Sequence, residues 1–333
     1  MIRYITKVLR GMQYKNFFKT ITKIHKKTNK NRFILFCDMV ICFIRYGAGY
    51  HDYEIYQFYN LKHKKRNTYV TRVRNKKIII ALNNPEYSDI IDKKHLFNER
   101  FKKYLKRDTL DIYENEKDLN KFIKKHPIFF AKPTDEDSGR GIEKLNSADF
   151  KSTKDLLEYL KAKKQRVVEE VVQQHEGMNK LYPKSVNCLR ILTILIDGKV
   201  EIIYGVLKTG SKGMFKDNMG FGGICAPINL KTGKLTGIGH TGKLENYDKH
   251  PDTNVKFIGF QIPMFKEAIE LAKEAALEIP EIRYIGWDVA ISKKGPLLIE
   301  GNDYPDYTFW QLPEHTPDRI GIWPYYKEKI KNL

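Results

Sequence analysis

Residues 286–302 read GWDVAISKKGPLLIEGN. Two apolar runs, 284–292 and 296–302, flank Lys293-Lys294-Gly295, the pattern of a β-hairpin. Strand side chains repeat with a period of two, so Glu300 and Asn302 share a face of the second strand. Pairing back through the turn puts Asp288 within a residue of the position opposite Ile299, and in either register two carboxylates and an amide oxygen converge. Trp287, Val289, Leu298 and Ile299 make the setting largely apolar, where a carboxylate needs a partner or a metal. Three hard oxygen donors suit Mg2+ bridging phosphate oxygens, so Asp288, Glu300 and Asn302 are the candidate metal ligands.

Upstream, a second hairpin is signalled where the apolar runs 189–196 and 200–208 meet at Asp197-Gly198. Residues 264–278, MFKEAIELAKEAALE, form a clear amphipathic helix. Residues 93–106 and 116–125 also read as helices, and 128–131 and 166–172 as strands. Residues 1–80 are expected to be mainly helical, with an aromatic-rich run at 46–60, while KIIIAL at 77–82 reads as a short buried strand. Helices and antiparallel strands interleave without a repeating βαβ unit, which argues for an α+β fold rather than a doubly wound sheet.

In FFAKPTDEDSGRGI (129–142), Lys132 stands at a strand end ahead of a turn holding Ser138, Gly139, Arg140 and Gly141. Glycines let backbone N–H groups approach phosphate oxygens, and the lysine adds a point charge. In VVEEVVQQHE (167–176), a strand carrying Glu169 and Glu170 can serve as an adenine-binding hinge, with a later polar residue on the ribose hydroxyls. An ordinary core strand is the competing reading. Two other patterns carry less. GVLKTGSK (205–212) lacks the GK[S/T] of a P-loop. Asp135-Glu136-Asp137 is the D-x-D triplet with which many sugar-nucleotide transferases hold Mn2+, but it lies inside the same glycine-bearing turn.

Of the net charge of +20, residues 1–80 hold +16, with 19 Lys/Arg against 3 Asp/Glu, so the basicity belongs to one quarter of the chain. Such an arm suits a nucleic acid, an anionic membrane or plain solvent. Ile2, Ile5, Val8, Leu9 and Met12 recur at helical spacing among Arg3, Lys7 and Arg10, a pattern that permits a helix lying on an anionic leaflet or packing on its own domain. The four cysteines, Cys37, Cys42, Cys188 and Cys225, include no Cys-x-x-Cys pair and read as reduced thiols of a cytoplasmic protein. The most apolar run, 33–44, contains Asp38 and falls well short of the about 20 residues a spanning helix needs.

The order of strand-end lysine and glycine loop, hinge strand, then Asp…Glu-x-Asn resembles the ATP-grasp superfamily. More closely, the chain is similar to the sugar-transfer-associated ATP-grasp proteins found with polysaccharide-assembly genes. The resemblance runs from about residue 40 and is carried by YGAGYHDY (46–53), DKKHLFNERF (92–101), FAKPTDEDSGRGI (130–142), VVEEVVQQH (167–175), PKSVNCLRILT (183–193), KDNMGFGGI (216–224), HPDT (250–253) and 286–302. It implies two α+β subdomains clasping ATP over residues 81–325, hinged near 167–176, behind the basic helical region 1–80. It places Lys93 and Lys132 on the nucleotide phosphates, with Ser138, Gly139, Arg140, Gly141 and Ile142 closing over them. Glu169, Glu170, Val171 and Val172 would surround adenine, and Glu176 would take the ribose, with Gln174 or His175 as substitutes. Arg190 and Lys208 would stabilise the transferring phosphoryl group, Asp288, Glu300 and Asn302 would hold Mg2+ or Mn2+, and 216–224 would be a mobile loop near the acceptor. Two departures stand out: DYPDYTFWQ follows Asn302 where a proline-glycine is commoner, and Lys208 stands where relatives often carry arginine.

The chemistry this implies is Mg-ATP-dependent joining of a carboxylate to an amine through an acyl phosphate, the substrate being a sugar acid or amino acid in cell-surface polysaccharide biosynthesis. A kinase-like phosphotransferase is one alternative. A metal-dependent glycosyltransferase using Asp135 and Asp137 is another, and it predicts UDP-sugar binding. Nucleic-acid binding through the basic arm leaves Asp288, Glu300 and Asn302 unexplained and is not expected. The expected partners are ATP and the two substrates, with contact to anionic membrane or polysaccharide-assembly enzymes through residues 1–80. The expected location is the cytoplasm, peripheral at the inner face of the membrane.

Overall fold

The computed structural model of the chain describes residues 14–134, 141–214, 222–331 and 333. The expected helix over Ile2–Met12, the Ser138–Arg140 turn, Asp135 and Asp137, and residues 216–221 lie outside the described residues. The chain divides into two units, residues 1–81 with 307–333, and residues 82–306.

In the first unit, helix α1 (Tyr14–Thr28) buries Phe17, Ile21 and Ile24, and helix α2 (Arg32–Tyr46) buries Leu35, Met39 and Cys42. The Asn31 side chain caps α2, accepting from the Phe33 amide at 2.8 Å. Gly47, in the left-handed region at φ 65°, ends it, and a Cβ there would lie 2.4 Å from Val73. The aromatic run is core: Tyr53, Tyr56 and Phe58 are buried, and the Tyr56 ring lies 4.8 Å from Tyr69.

KIIIAL is not a strand; it is the end of helix α3 (Arg72–Leu82). Thr71, Arg74, Asn75, Ile78 and Leu82 are buried, which is helical spacing, but three of these five are polar and so hide the apolar period. Arg74 is accommodated because its guanidinium donates to the Asn67 and Tyr69 carbonyls and lies 4.8 Å from the Trp323 ring.

The second unit holds two antiparallel sheets. The smaller has strand order β1 (Thr109–Asp111), β4 (Gln165–Glu170), β2 (Ile128–Pro133), β3 (Glu143–Asn146). Helices α4 (Leu119–Lys125) and α5 (Thr153–Ala162) cover one face, packing Leu119, Phe122, Leu156 and Leu160 on Phe129, Ala131 and Val168. The alternate residues Phe130, Lys132 and Glu169 therefore point the other way. A short helix α6 (Glu176–Leu181) follows the segment leaving β4.

The larger sheet runs β11 (Gly295–Asn302), β10 (Tyr284–Ser292), β5 (Cys188–Ile196), β6 (Lys199–Thr209), β7 (Ile224–Pro227), β8 (Gly239–Thr241), β9 (Asn246–Tyr247). Helix α7 (Phe265–Leu277) packs on its apolar face, where Leu189, Ile191, Leu207, Val289 and Leu298 join Ala268, Ala272 and Ala275. Asp197 and Gly198 turn the β5–β6 hairpin with φ 49° and 75°, the two positive values that match the twist of a tight hairpin. The expected helix over 93–106 is two shorter ones, Lys94–Arg100 and Lys102–Leu105, broken at Phe101. The expected helix over 116–125 begins with a 3-10 turn, Glu116–Asp118. All four cysteines are free thiols. Among the described residues no helix is long and apolar enough to cross a membrane.

Candidate active site

Continuous pairing back from Ser292 opposite Gly295 would set Asp288 against Ile299. The ladder instead shifts between Asp288 and Val289, so Asp288 faces Glu300. That bulge puts the two carboxylates side by side on one face; a one-residue slip would have opposed an acid to an isoleucine. Arg190 of β5 pairs with Asp288 on its other side. Arg190, Asp288 and Glu300 therefore form a row across three strands, and Asn302 continues the β11 face.

Asp288 is buried and doubly held. Arg190 donates to it from Nε at 2.5 Å and from Nη2 at 3.1 Å, and Lys208 Nζ lies 2.6 Å from Oδ2. Burial pushes the Asp288 carboxyl up, but the Arg190 and Lys208 charges together outweigh it and hold the group well below the usual carboxylate range. Glu300 moves the opposite way: burial first, then the neighbouring Asp288 charge, push its carboxyl up despite Lys208 and Arg190. Two crowded acids, one of them resisting ionisation, make a donor set that a divalent cation would relieve, and Asn302 adds a neutral oxygen beside them. The residues fit Mg2+. The Asn302 Nδ2 donates to the Gly286 carbonyl at 3.4 Å, and Asn302 is not among the residues lining the cavity below.

The smaller sheet repeats the motif. Glu169 is buried, with Lys132 Nζ at 2.6 Å and Arg107 Nη2 at 3.0 Å. Burial raises its carboxyl, but Arg107 and Lys132 outweigh this and hold it at about 2. A cavity of about 400 Å³ within this unit is lined by residues of both sheets, among them Lys132, Ile142, Glu169, Lys208, Asp288 and Glu300. Glu170, Val171 and Val172 also line it where the chain leaves β4. The Glu170 side chain accepts from the Asp108 amide at 3.0 Å. Past it the chain is stitched to β10: Lys293 N donates to the Gln173 carbonyl and His175 N to that of Ile291, each at 2.9 Å.

Of the described sequence candidates, Lys93, Gly141, Glu176, Arg190 and Asn302 are not among the residues lining the cavity, whereas Gln174 is. Lys93 pairs with Asp89 at 2.7 Å and does not line it. Glu176 opens α6, exposed and outside the lining. Of its substitutes, Gln174 is a buried knot whose Nε2 donates to Asn179 and to the Tyr182 carbonyl while its Oε1 accepts from the Asn187 amide. His175 Nδ1 caps α6 by accepting from Gly177 N at 2.9 Å. Gly141 has φ 65° and its carbonyl accepts from Gln165 Nε2 at 2.7 Å; Ser138, Gly139 and Arg140 lie outside the described residues. Sequence reasoning missed Arg107, Lys144, Lys184 and Lys293, all of which line the cavity. Lys144 was legible in principle, since it pairs across from Phe130 on the cavity face; Arg107 precedes a three-residue strand that no pattern announces.

Two antiparallel sheets that close on one cavity, with lysines and arginines set against buried carboxylates on both, define the ATP-grasp arrangement. The chain belongs to the sugar-transfer-associated ATP-grasp family, whose model matches residues 73–317. Solved structures similar to it include N5-carboxyaminoimidazole ribonucleotide synthetase from Thermotoga maritima, at 14% identity over 67% of this chain and 44% of that one, with a TM-score of 0.39. D-alanyl-alanine synthetase A from Vibrio cholerae O1 biovar eltor matches at 14% over 75% and 63%, TM-score 0.39. L-amino acid ligase from Bacillus licheniformis matches at 14% over 65% and 41%, TM-score 0.39. The chain spans about half the length of the solved structures it matches. No curated protein matches it.

Proposed function

We propose that the protein is a Mg-ATP-dependent carboxylate-amine ligase. The observation that carries the reading is the convergence of Lys132, Lys208, Asp288 and Glu300 on one cavity, with Arg190 locked to Asp288. In the proposed reaction, the terminal phosphoryl group of ATP passes to a substrate carboxylate, giving an acyl phosphate and ADP. An amine then attacks the acyl carbon, phosphate leaves, and the amine gives up a proton. Asp288, Glu300 and Asn302 would hold Mg2+, which when bound neutralises phosphate charge. Lys132 and Lys208 present ammonium groups to the anion, and Arg190, fixed by two bonds to Asp288, keeps its remaining donors in a set orientation. The Val171–Val172 segment lines the cavity where an adenine edge would lie; for the ribose, Gln174 lines the cavity with its side chain tied to Asn179 and the Tyr182 carbonyl, and Glu176 stands outside the lining. Catalysis is then mostly positioning and charge neutralisation, and no nucleophilic serine or cysteine is needed. The family's association with sugar transfer supports a sugar acid or sugar-linked amino acid as the acceptor.

The test needs no knowledge of that acceptor. Thermal unfolding is recorded with and without Mg2+ and a non-hydrolysable ATP analogue. A ligand at about 100 times its dissociation constant adds about 2.7 kcal/mol to the folded state. A Mg2+-dependent rise in wild type that Glu300→Ala loses supports the site. No rise with the analogue, but a rise with a UDP-sugar and Mn2+, would overturn it in favour of a glycosyltransferase.

A further inference from the structure

Helix α2 is apolar around most of its circumference, yet among the described residues only one side of it is covered. Leu35, Met39, Cys42 and Tyr46 are buried. On the opposite arc Phe33 is 73% exposed, Ile34 64% and Ile44 62%, with Val40 and Ile41 between them also exposed. A helix that is apolar all round belongs in a core or against an apolar phase. Phe18 of α1 is exposed as well, beside Phe17, whose ring meets Phe36 of α2 edge-on at 5.8 Å. The stripe runs about 18 Å along the helix, too short to span a bilayer and long enough to lie in its surface.

The charge around the stripe selects its partner. Residues 14–46 carry eight lysines and arginines against one acid, Asp38, and Asp38 is bound to Arg66 at 2.6 Å. Arg32 and Arg45, both exposed, bracket the stripe at its two ends. We infer that α2 is a docking face for an anionic lipid bilayer, its apolar stripe seated at the headgroup–acyl boundary with the flanking lysines and arginines on lipid phosphates. Basic side chains bury their stems along apolar surface and keep their heads in the polar layer, which is what such a boundary requires. A second copy of the chain is the wrong partner electrostatically, because an isologous contact would set this basic surface against itself. The helix expected over Ile2–Met12 falls outside the described residues; the α2 face lies within residues 1–80, the region expected to meet an anionic membrane, and does not depend on the ligase reading.

The test uses the full chain with phosphatidylcholine vesicles and with mixed phosphatidylglycerol–phosphatidylcholine vesicles, sedimented together near physiological salt. Wild type is expected to pellet at least about fivefold more with the anionic vesicles, the discrimination of roughly one basic residue near a charged surface. Ile41→Glu with Ile44→Glu, at exposed positions, is expected to abolish pelleting while keeping the wild-type unfolding midpoint. Should that pair fail to fold, Arg32→Glu with Arg45→Glu leaves the stripe intact and is expected to lose the anionic preference. Equal pelleting on both vesicle types, or wild-type binding by the folded Ile41→Glu/Ile44→Glu protein, overturns the inference. So does a dimer in sedimentation velocity that these substitutions convert to monomer without any vesicle binding, which would assign the face to a second copy.

Discussion

Replacing Glu169 by glutamine keeps the shape of the side chain and removes the charge that two buried cations share. The Arg107 and Glu169 side chains are 2% and 5% exposed, and Lys132 12%, so water cannot take over from the lost carboxylate. The folded protein holds Glu169 at about 2 where the ordinary value is 4.5. At about 1.4 kcal/mol per pKa unit this difference is worth about 3 kcal/mol at neutral pH. Breaking a buried ion pair by removing one partner costs a comparable about 3–5 kcal/mol. For a unit the size of residues 82–306, about 3 kcal/mol lowers the melting temperature by roughly 6–12 °C. The pH dependence gives a second reading. A carboxylate depressed by folding stabilises above its unfolded value, and that stabilisation is lost as pH falls through the folded one. Wild type therefore exceeds Glu169→Gln by a constant margin above pH 4.5, and the margin shrinks as pH drops toward 2. Urea unfolding across this range, with melting followed at neutral pH, checks both. A neutral-pH difference under about 0.5 kcal/mol, the scatter of an ordinary surface substitution, would refute the reasoning; so would a margin that does not narrow in acid.

Glu300→Gln removes a like charge from beside Asp288, so the metal-free protein is expected to unfold at higher urea than wild type, while calorimetry finds the Mg2+-dependent part of nucleotide binding gone. Arg190→Lys keeps the charge but loses the two-bond grip on Asp288, which is expected to cost about 1–3 kcal/mol in urea unfolding and to weaken ATP-analogue binding. Gly321→Ala places a Cβ 2.5 Å from the Thr68 carbonyl oxygen and 2.5 Å from the Tyr69 Cα, backbone atoms that cannot rotate away, and is expected to cost at least about 1–3 kcal/mol by the same measurement.

The elements legible in the sequence were those whose apolar pattern is uninterrupted. Both hairpins, β5–β6 and β10–β11, and the helix α7 announce themselves because their buried positions are mostly apolar and the hairpin turns carry Asp197-Gly198 or a Lys-Lys-Gly step. α3 did not, because Arg74 and Asn75 occupy buried positions, and only a tertiary partner such as Trp323 makes that tolerable. That Asp288 and Glu300 come together was legible in the sequence while their register was not. No strand pattern encodes the bulge at Ile299, and without it the register opposes Asp288 to an apolar residue. Arg107 was invisible for a different reason. Its partner Glu169 lies 62 positions away in the chain, and a cation so distant in sequence has no local signature.

The two sheets carry the same device, a buried carboxylate clamped by two cations: Glu169 between Arg107 and Lys132, Asp288 between Arg190 and Lys208. As stabilising elements such clusters are poor choices, since well-packed apolar residues of similar volume do as well or better. Their use is positional. An ammonium has three donors and a guanidinium five, so a carboxylate can hold either in place while leaving donors aimed elsewhere. Lys132 and Lys208 both line the cavity, and each is held by its carboxylate; under the proposed function that grip would orient the ammonium groups before an anion arrives. Fixing a long, flexible side chain before the anion arrives moves its ordering entropy from the binding step to the folding step. Among the described residues Glu300 has no ion pair of its own, and burial with the neighbouring Asp288 charge pushes its carboxyl up; under the proposed function a divalent ion would relieve that crowding.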